Sequence, residues 1–141
     1  MTPPELALVV PCYNEAERLD PEAFLQFVAT HPGVQLVMVD DGSQDATGEI
    51  LERMRAAAPA SVTTLRHSPN RGKAETVRAG ILAGLAQRAT LVGFFDADLA
   101  TPLGAIDDFL AVLRDRPEVE FVLGSRVMLM GRDIRRKATR H

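Results

Sequence analysis

Apolar runs and polar breaks alternate along this chain. LALVV (6–10) is a short, valine-rich run closed by Pro11, and the pattern predicts a buried strand. Residues 21–30 read as a helix: Asp20 can cap it, Pro21 suits its first turn, and Phe24, Phe27 and Val28 share a face. QLVMV (35–39) predicts a second strand. Residues 45–58 predict a helix with Ile50, Leu51 and Met54 inward and Pro59 just beyond. Residues 61–65 predict a third strand, and 73–87 a helix whose inward stripe is Val77, Ile81, Leu82 and Leu85. Residues 91–95 predict a fourth strand and 102–114 a helix with Ile106, Phe109, Leu110 and Leu113 inward. Residues 119–123 predict a fifth strand, stopped by Gly124.

Strands that alternate with helices of this length imply an α/β fold, with a mostly parallel sheet and helices on both faces. Ligands in such sheets bind in the crevice beyond the carboxyl ends of the strands. The segments that follow the five strands are PCYNE (11–15), DDGSQDAT (40–47), HSPNRGKAE (67–75), DADLAT (96–101) and GSR (124–126). Any one of them could be turn chemistry alone. Five on one rim read as a site.

Composition narrows the classes. A length of 141 residues suits a single domain with one core. With 46% hydrophobic and 25% charged residues, the mixture is globular and not disordered. The net charge is −3, but residues 126–141 carry about +5 and the rest about −8. A basic end on an acidic body suits contact with phosphate or an anionic surface; a solvated terminus is the plainer reading. Cys12 is the single cysteine, so no internal disulfide forms, and the chain fits a reducing compartment. With no catalytic partner at a recognisable spacing, Cys12 reads as a small buried residue. The start, MTPPELALVVPCYNE, lacks the basic region of a signal peptide, and no stretch approaches the ~20 apolar residues of a membrane span.

The candidate chemistry lies in the rim. Asp96 and Asp98 end an apolar strand, where desolvation is unfavourable and the two charges repel. A hard divalent cation, Mg²⁺ or Mn²⁺, relieves both and typically bridges to substrate phosphates. The alternatives are a helix cap for Asp96 and a solvated loop acid for Asp98. Asp40 and Asp41 could likewise meet a metal, but acceptor-only carboxylates suit a nucleoside better; a turn with Gly42 at positive φ and Ser43 or Asp45 as helix cap is the structural alternative. Asn70-Arg71-Gly72-Lys73 opens a helix and suits a diphosphate, or is a solvated helix start. Walker A and GxGxxG patterns are absent, which argues against a P-loop enzyme and a dinucleotide dehydrogenase. A receiver-type phosphoacceptor fits poorly, since the paired acids follow the second strand. A nucleotidyltransferase fits less well still, lacking its Gly-rich basic loop after the first.

VVPCYNEAERL, VMVDDGSQDAT, NRGKAETVRAGI, FFDADLATP and GSR, in this order and spacing, resemble the family 2 glycosyltransferases of Rossmann-like GT-A fold. DADLATP and NRGKAETVRAG are most similar to the dolichyl- and polyprenyl-phosphate glucosyltransferase branch. The resemblance implies a nucleoside pocket lined by Pro11, Tyr13 and Glu15, with Asp41 on the base and Asp40 supporting its loop. It implies Lys73 near the diphosphate, and Asp96 and Asp98 holding Mg²⁺ or Mn²⁺, with Ala97 between them at the donor. Arg126 would face the donor or acceptor phosphate; Lys73, Asp98 and Arg126 would be the catalytic set. The implied reaction is inverting transfer of a hexose, glucose foremost, from UDP-glucose to a polyprenyl or dolichyl phosphate. GDP-mannose as donor and a non-catalytic nucleotide-sugar-binding module, or a half-domain needing a partner chain, are the alternatives. Nucleic acid is not an implied partner; a homo-oligomer stays open. The basic run 126–141 would serve peripheral contact with a membrane, on its cytoplasmic face. Residues 1–125 would form the nucleotide-sugar-binding domain, with 126–141 a basic segment of it. Two departures stand out. Ala100 replaces a glutamine common in the mannosyl branch, and such domains usually continue well past GSR with acceptor-side elements.

Overall fold

A computed structural model describes residues 2–125. The chain divides into two compact units, residues 1–103 and 104–141.

The first unit holds β1 (Leu6–Cys12), α1 (Pro21–Thr30), β2 (Val34–Asp40), α2 (Thr47–Ala57), β3 (Val62–Arg66), α3 (Lys73–Ala86) and β4 (Leu91–Phe94). All pairings are parallel and the strand order is β3-β2-β1-β4. The chain builds outward from β1 through β2 to β3. It then returns along α3 to lay β4 on the far side of β1. The direction of winding therefore switches between β1 and β4, which is where a parallel sheet of this kind opens a crevice.

Pro11 explains how far the crevice opens. Val9 offers its carbonyl to the Phe95 N–H on the β4 side. Residues two apart in a strand face the same neighbour, so Pro11 turns its missing N–H toward β4 as well. Pairing with β4 has ended there, at Val9↔Phe94, while pairing with β2 runs on to Cys12↔Asp40. The strand predicted to stop before Pro11 thus passes through it.

Alternation along the strands fills both faces. Ala7, Val9, Val37 and Val39 form one buried cluster, with Ile81 of α3 packed on it. The alternate set, Leu8, Val10, Leu36 and Met38, points the other way, where α1 and α2 contribute Phe24, Phe27, Val28, Leu51 and Met54. Asp20 caps α1 as expected, its carboxylate accepting the Ala23 N–H at 3.1 Å, with Pro21 in the first turn.

The stripe expected for α3 is corrected. Thr76, Gly80 and Gly84 are its buried residues, while Leu82 and Leu85 are half exposed. The reason is closeness. A Cβ on Gly80 would collide with Val9 Cγ1, and one on Gly84 would sit 2.7 Å from Ala7 Cβ. The helix lies so near β1 that only small residues fit between them. The helices expected from Asp45 and Pro102 begin two and three residues later, and Ile50 is only partly buried.

The second unit contains α4 (Ala105–Asp115), with Asp107 and Asp108 in its first turn and Arg114 in its last, matching the helix dipole. Ile106 and Leu110 are its buried residues. The strand expected at 119–123 is absent: these residues carry no regular structure, and Phe121 and Leu123 are 76% and 70% exposed. A strand is a pairing and not a property of an apolar run; no described residue pairs with this one. Among the described residues, no helix is long and apolar enough to cross a membrane.

Gly80→Ala should lower stability. Ala gains about 1 kcal/mol in helix propensity over Gly, but overpacking a tight core costs about 1–3 kcal/mol, and fully buried Val9 has little room to yield. A urea melt should show an earlier midpoint; an unchanged or later one would mean that α3 does not sit this close to β1.

Candidate functional site

Four loops meet at the carboxyl edge of the first unit's sheet. The loop after β1 is fastened to the loop after β2 by a run of hydrogen bonds. Ser43 Oγ accepts the Asn14 N–H at 2.9 Å, Thr47 Oγ1 accepts that of Glu15 at 2.9 Å, and Asp45 Oδ2 accepts that of Ala16 at 3.2 Å. In return, Asn14 Oδ1 accepts the Gln44 N–H at 2.9 Å. Asn14 adopts φ 50°, a left-handed conformation that Asn tolerates. Asp45 Oδ1 also accepts the Thr47 N–H at 2.9 Å, a turn just ahead of α2; the N-cap position is Ala46, so neither Ser43 nor Asp45 caps the helix as expected. Tyr13 stands 48% exposed above this framework, whereas Pro11 is partly buried.

The twin acids after β2 face different ways. Asp40 is buried among strand residues; its Oδ1 accepts the Ser43 N–H at 2.9 Å. Its Oδ2 lies 3.7 Å from Arg66 Nε, too far for a hydrogen bond, and takes none. Asp40 therefore shapes its own loop. Asp41, expected at the base, is 3% exposed and turned to the loop after β3. Its Oδ1 accepts the Arg71 N–H at 2.8 Å, and its Oδ2 accepts that of Gly72 at 2.9 Å. His67 Nδ1 lies 3.3 Å from Oδ1. Burial alone would raise the Asp41 carboxyl's pKa; hydrogen bonds from the Arg71 N–H, His67 and the Gly72 N–H outweigh it and hold the group below the ordinary carboxylate value. Gly42 is at φ 76°, as expected, and a Cβ there would sit 2.8 Å from the Asn70 N, so both conformation and proximity require glycine.

Lys73, the first residue of α3, reaches across to the loop after β4, its Nζ lying 2.6 Å from Asp96 Oδ1. Both side chains are well exposed, so the pair stabilises by only about 0–1 kcal/mol. It can be given up when other charges arrive. Ala97 is buried between the two acids, and Asp98 Oδ1 accepts the Ala100 N–H at 3.0 Å. Leu99 is held at φ 52°, an unusual conformation for a bulky residue. The turn carrying the acids is thus locally constrained.

Glu15 completes the rim. Arg18 Nε is 3.0 Å from its Oε2 but off the hydrogen-bonding axis, and that buried oxygen takes no hydrogen bond. The Glu15 carboxyl is held above its ordinary value, first by burial and then by the Asp98 and Asp45 charges, with Arg18 opposing. Asp98 is therefore an electrostatic neighbour of Glu15. Cys12 beneath is buried, and burial, with Glu15 and Asp40 adding, pushes its thiol up to about 12, so it is inert.

The structure thus brings Lys73 to Asp96, and Glu15 into the field of Asp98. It leaves Asp40 and Asp41 engaged with their own chain. Arg126 lies outside the described residues. Asn14, Ser43, Thr47, His67 and Asn70, which fix the loops, carry no periodic signal; only their placement just past strand ends marks them.

Among the described residues, no group of three or more His, Cys, Asp or Glu side chains could hold a metal. Two carboxylates with an open side are, however, a fitting donor set for Mg²⁺ or Mn²⁺, which bind through one or two carboxylates plus phosphate oxygens.

A family model described as Glycosyl transferase family 2 matches residues 7–140. The chain is 36% identical over 119 residues to a dolichyl-phosphate beta-glucosyltransferase of Drosophila melanogaster, covering 78% of this chain and 36% of that protein. It is 29% identical over 141 residues to the protein of that name from Dictyostelium discoideum, covering 92% and 42%. The solved mannosyltransferase PcManGT from Pyrobaculum calidifontis, in complex with GDP-Man and Mn2+, matches with TM-score 0.61 at 25% identity over 82% of this chain and 34% of that one. The chain thus spans about two-fifths of the length of the curated relatives it matches.

Glu15→Gln provides the pH test. An acid whose folded pKa is raised favours the folded state below its ordinary value, about 4.3 for Glu, and opposes it above the raised value. The variant should be more stable than its parent at pH 7, and the gap should shrink as pH falls toward 4. Urea midpoints at both pH values would show it; a gap that widens on acidification contradicts the assignment.

Proposed function

The chain belongs to glycosyl transferase family 2, and on that premise we propose that it binds the donor for inverting transfer of a hexose, glucose foremost, from a nucleoside-diphosphate sugar to a polyprenyl or dolichyl phosphate. The observation that carries this reading is the meeting of Lys73 with Asp96 beside Asp98, at the opening between β1 and β4. One cation site and one anion site adjoin there, as a metal-bound diphosphate requires.

The residues would share the work as follows. Pro11, Tyr13 and Glu15 line the nucleoside side of the crevice, on a loop whose backbone is already fixed. Asp96 and Asp98 would hold Mg²⁺ or Mn²⁺, which when bound supplies Lewis-acid stabilisation to the leaving diphosphate. Lys73 would leave Asp96 for the phosphates. It would then offset the negative charge that grows as the sugar–oxygen bond breaks through an oxocarbenium-like transition state. The first-turn amides of α3, which lack intrahelical partners, add partial positive charge there. Attack from the opposite face inverts the anomeric carbon. A lipid phosphate is already an anionic nucleophile, so the transfer needs no general base. Arg126 and the other basic residues of 126–141 would meet that phosphate or the anionic membrane surface. The names of the curated relatives support the lipid phosphate and glucose. The GDP-Man and Mn2+ of the solved structure support a nucleotide sugar with a metal and keep GDP-mannose as the second donor.

Calorimetry with UDP-glucose and GDP-mannose, with and without Mn²⁺, tests the donor, and transfer to a polyprenyl phosphate tests turnover. Donor affinity should rise with Mn²⁺, and Asp96→Asn with Asp98→Asn should abolish that rise. Lys73→Met should weaken the donor about tenfold or more, the loss of one charge-assisted contact, while strengthening Mn²⁺ alone. Metal-independent donor binding, or a doubly substituted chain that keeps the Mn²⁺ effect, would overturn the proposal.

A further inference from the structure

Asp41 is the most fully engaged acid of the rim. It sits one residue beyond β2, and every polar group it has is used. Its N–H donates to the Cys12 carbonyl at 2.8 Å, and its carbonyl accepts Asn70 Nδ2 at 3.0 Å. Its carboxylate takes the Arg71 and Gly72 N–H groups, one on each oxygen, and His67 Nδ1 stands by the first. Since a carboxylate only accepts, that imidazole carries its proton on Nδ1. A carboxylate has about four acceptor positions, and three are filled by the chain itself.

The consequence is felt at α3. Gly72 is held from both sides: Asp41 takes its N–H, and its carbonyl accepts the Thr76 hydroxyl at 2.8 Å and the Thr76 N–H at 3.0 Å. Gly72 is at φ 92° with no atom within 4 Å of where a Cβ would be, and its N–H also reaches Asn70 Oδ1 at 3.2 Å, so hydrogen bonds to its backbone hold it and packing does not. The next residue is Lys73, whose Nζ meets Asp96.

We propose that Asp41 is a positioning residue for Lys73: by clamping residues 71–72 it fixes the start of α3, and so the place from which the lysine reaches Asp96 and the diphosphate. The role goes beyond any contact with the base and couples the loop after β2 to the phosphate site. It rests on the donor-binding reading above for its catalytic meaning, but not for its geometry.

Two measurements on the 141-residue chain test it. The first needs no ligand. Asp41→Asn should speed amide hydrogen exchange at Arg71, Gly72 and Thr76 at least tenfold, with Val9 and Val10 unchanged; unchanged exchange at 71–76 overturns the inference. The second is a double-mutant cycle read by Mn²⁺-dependent UDP affinity. Asp41→Asn should weaken UDP about tenfold in the parent chain but scarcely in a Lys73→Met background, and should spare UMP. Additive losses, or equal losses for UMP and UDP, make Asp41 a base contact only and overturn the inference. Should the parent bind neither UDP nor GDP with Mn²⁺, the donor reading falls and the exchange measurement alone decides. If Asp41→Asn does not fold, His67→Gln replaces it, with a smaller change expected in the same amides.

Discussion

The site depends on unequal pairing at the two edges of β1. Against β2 the ladder runs to Cys12↔Asp40; against β4 it stops at Val9↔Phe94. The difference comes from one residue that has no N–H to give. Pro11 sits in an inner strand, where proline is normally excluded, and its missing N–H falls on the β4 side, where the ladder stops after the Phe95 N–H meets the Val9 carbonyl. Beyond that point β1 and β4 carry their loops apart, and the gap receives Tyr13 and Glu15 from one side and Asp96 and Asp98 from the other.

The loops are then held by charges and amides and not by apolar packing. Asp41, Asp45 and Asp40 each accept backbone N–H groups, and hydrogen bonds to ionised acceptors are roughly twice as strong as neutral ones. The groups left less satisfied are Glu15 and Asp40, each with a buried oxygen lacking a donor, and the exposed Lys73–Asp96 pair. That contrast separates framework from working parts. Asp41 and Asp45 accept hydrogen bonds on both oxygens and Asp40 on one, whereas the residues proposed to meet the donor are exposed, weakly paired or, at Glu15, short of a donor. Perturbed and unsatisfied groups of this kind concentrate at functional sites.

Much of this was legible in the sequence. Strands buried on both faces announce themselves as unbroken valine-rich runs, and the carboxyl-edge rule points from them to the loops that gather around the opening between β1 and β4. The α/β class and the family followed from the same stretches. What could not be read was closeness. Nothing in KAETVRAGILAGLA says that Gly80 and Gly84, and not Leu82 and Leu85, face the sheet; that follows from how near α3 lies to β1. Pairing was equally hidden: residues 119–123 look like a strand and find no partner among the described residues. The partners of Asp41 were invisible for a third reason. They lie about thirty residues away, on a loop brought back by β3, and no periodicity encodes such a contact.

A metal-bound diphosphate seated at the opening between β1 and β4 is tested most directly by Mn²⁺ used as a paramagnetic probe. Amide spectra of the labelled chain with UDP and substoichiometric Mn²⁺ should lose the signals of Ala97 and Asp98 first, then those of Lys73 and Glu15. Gly33 and Ser61, at the opposite edge of the sheet, should persist. Broadening centred elsewhere, for example on Glu49 and Glu52 of α2, or broadening indifferent to UDP, would contradict it.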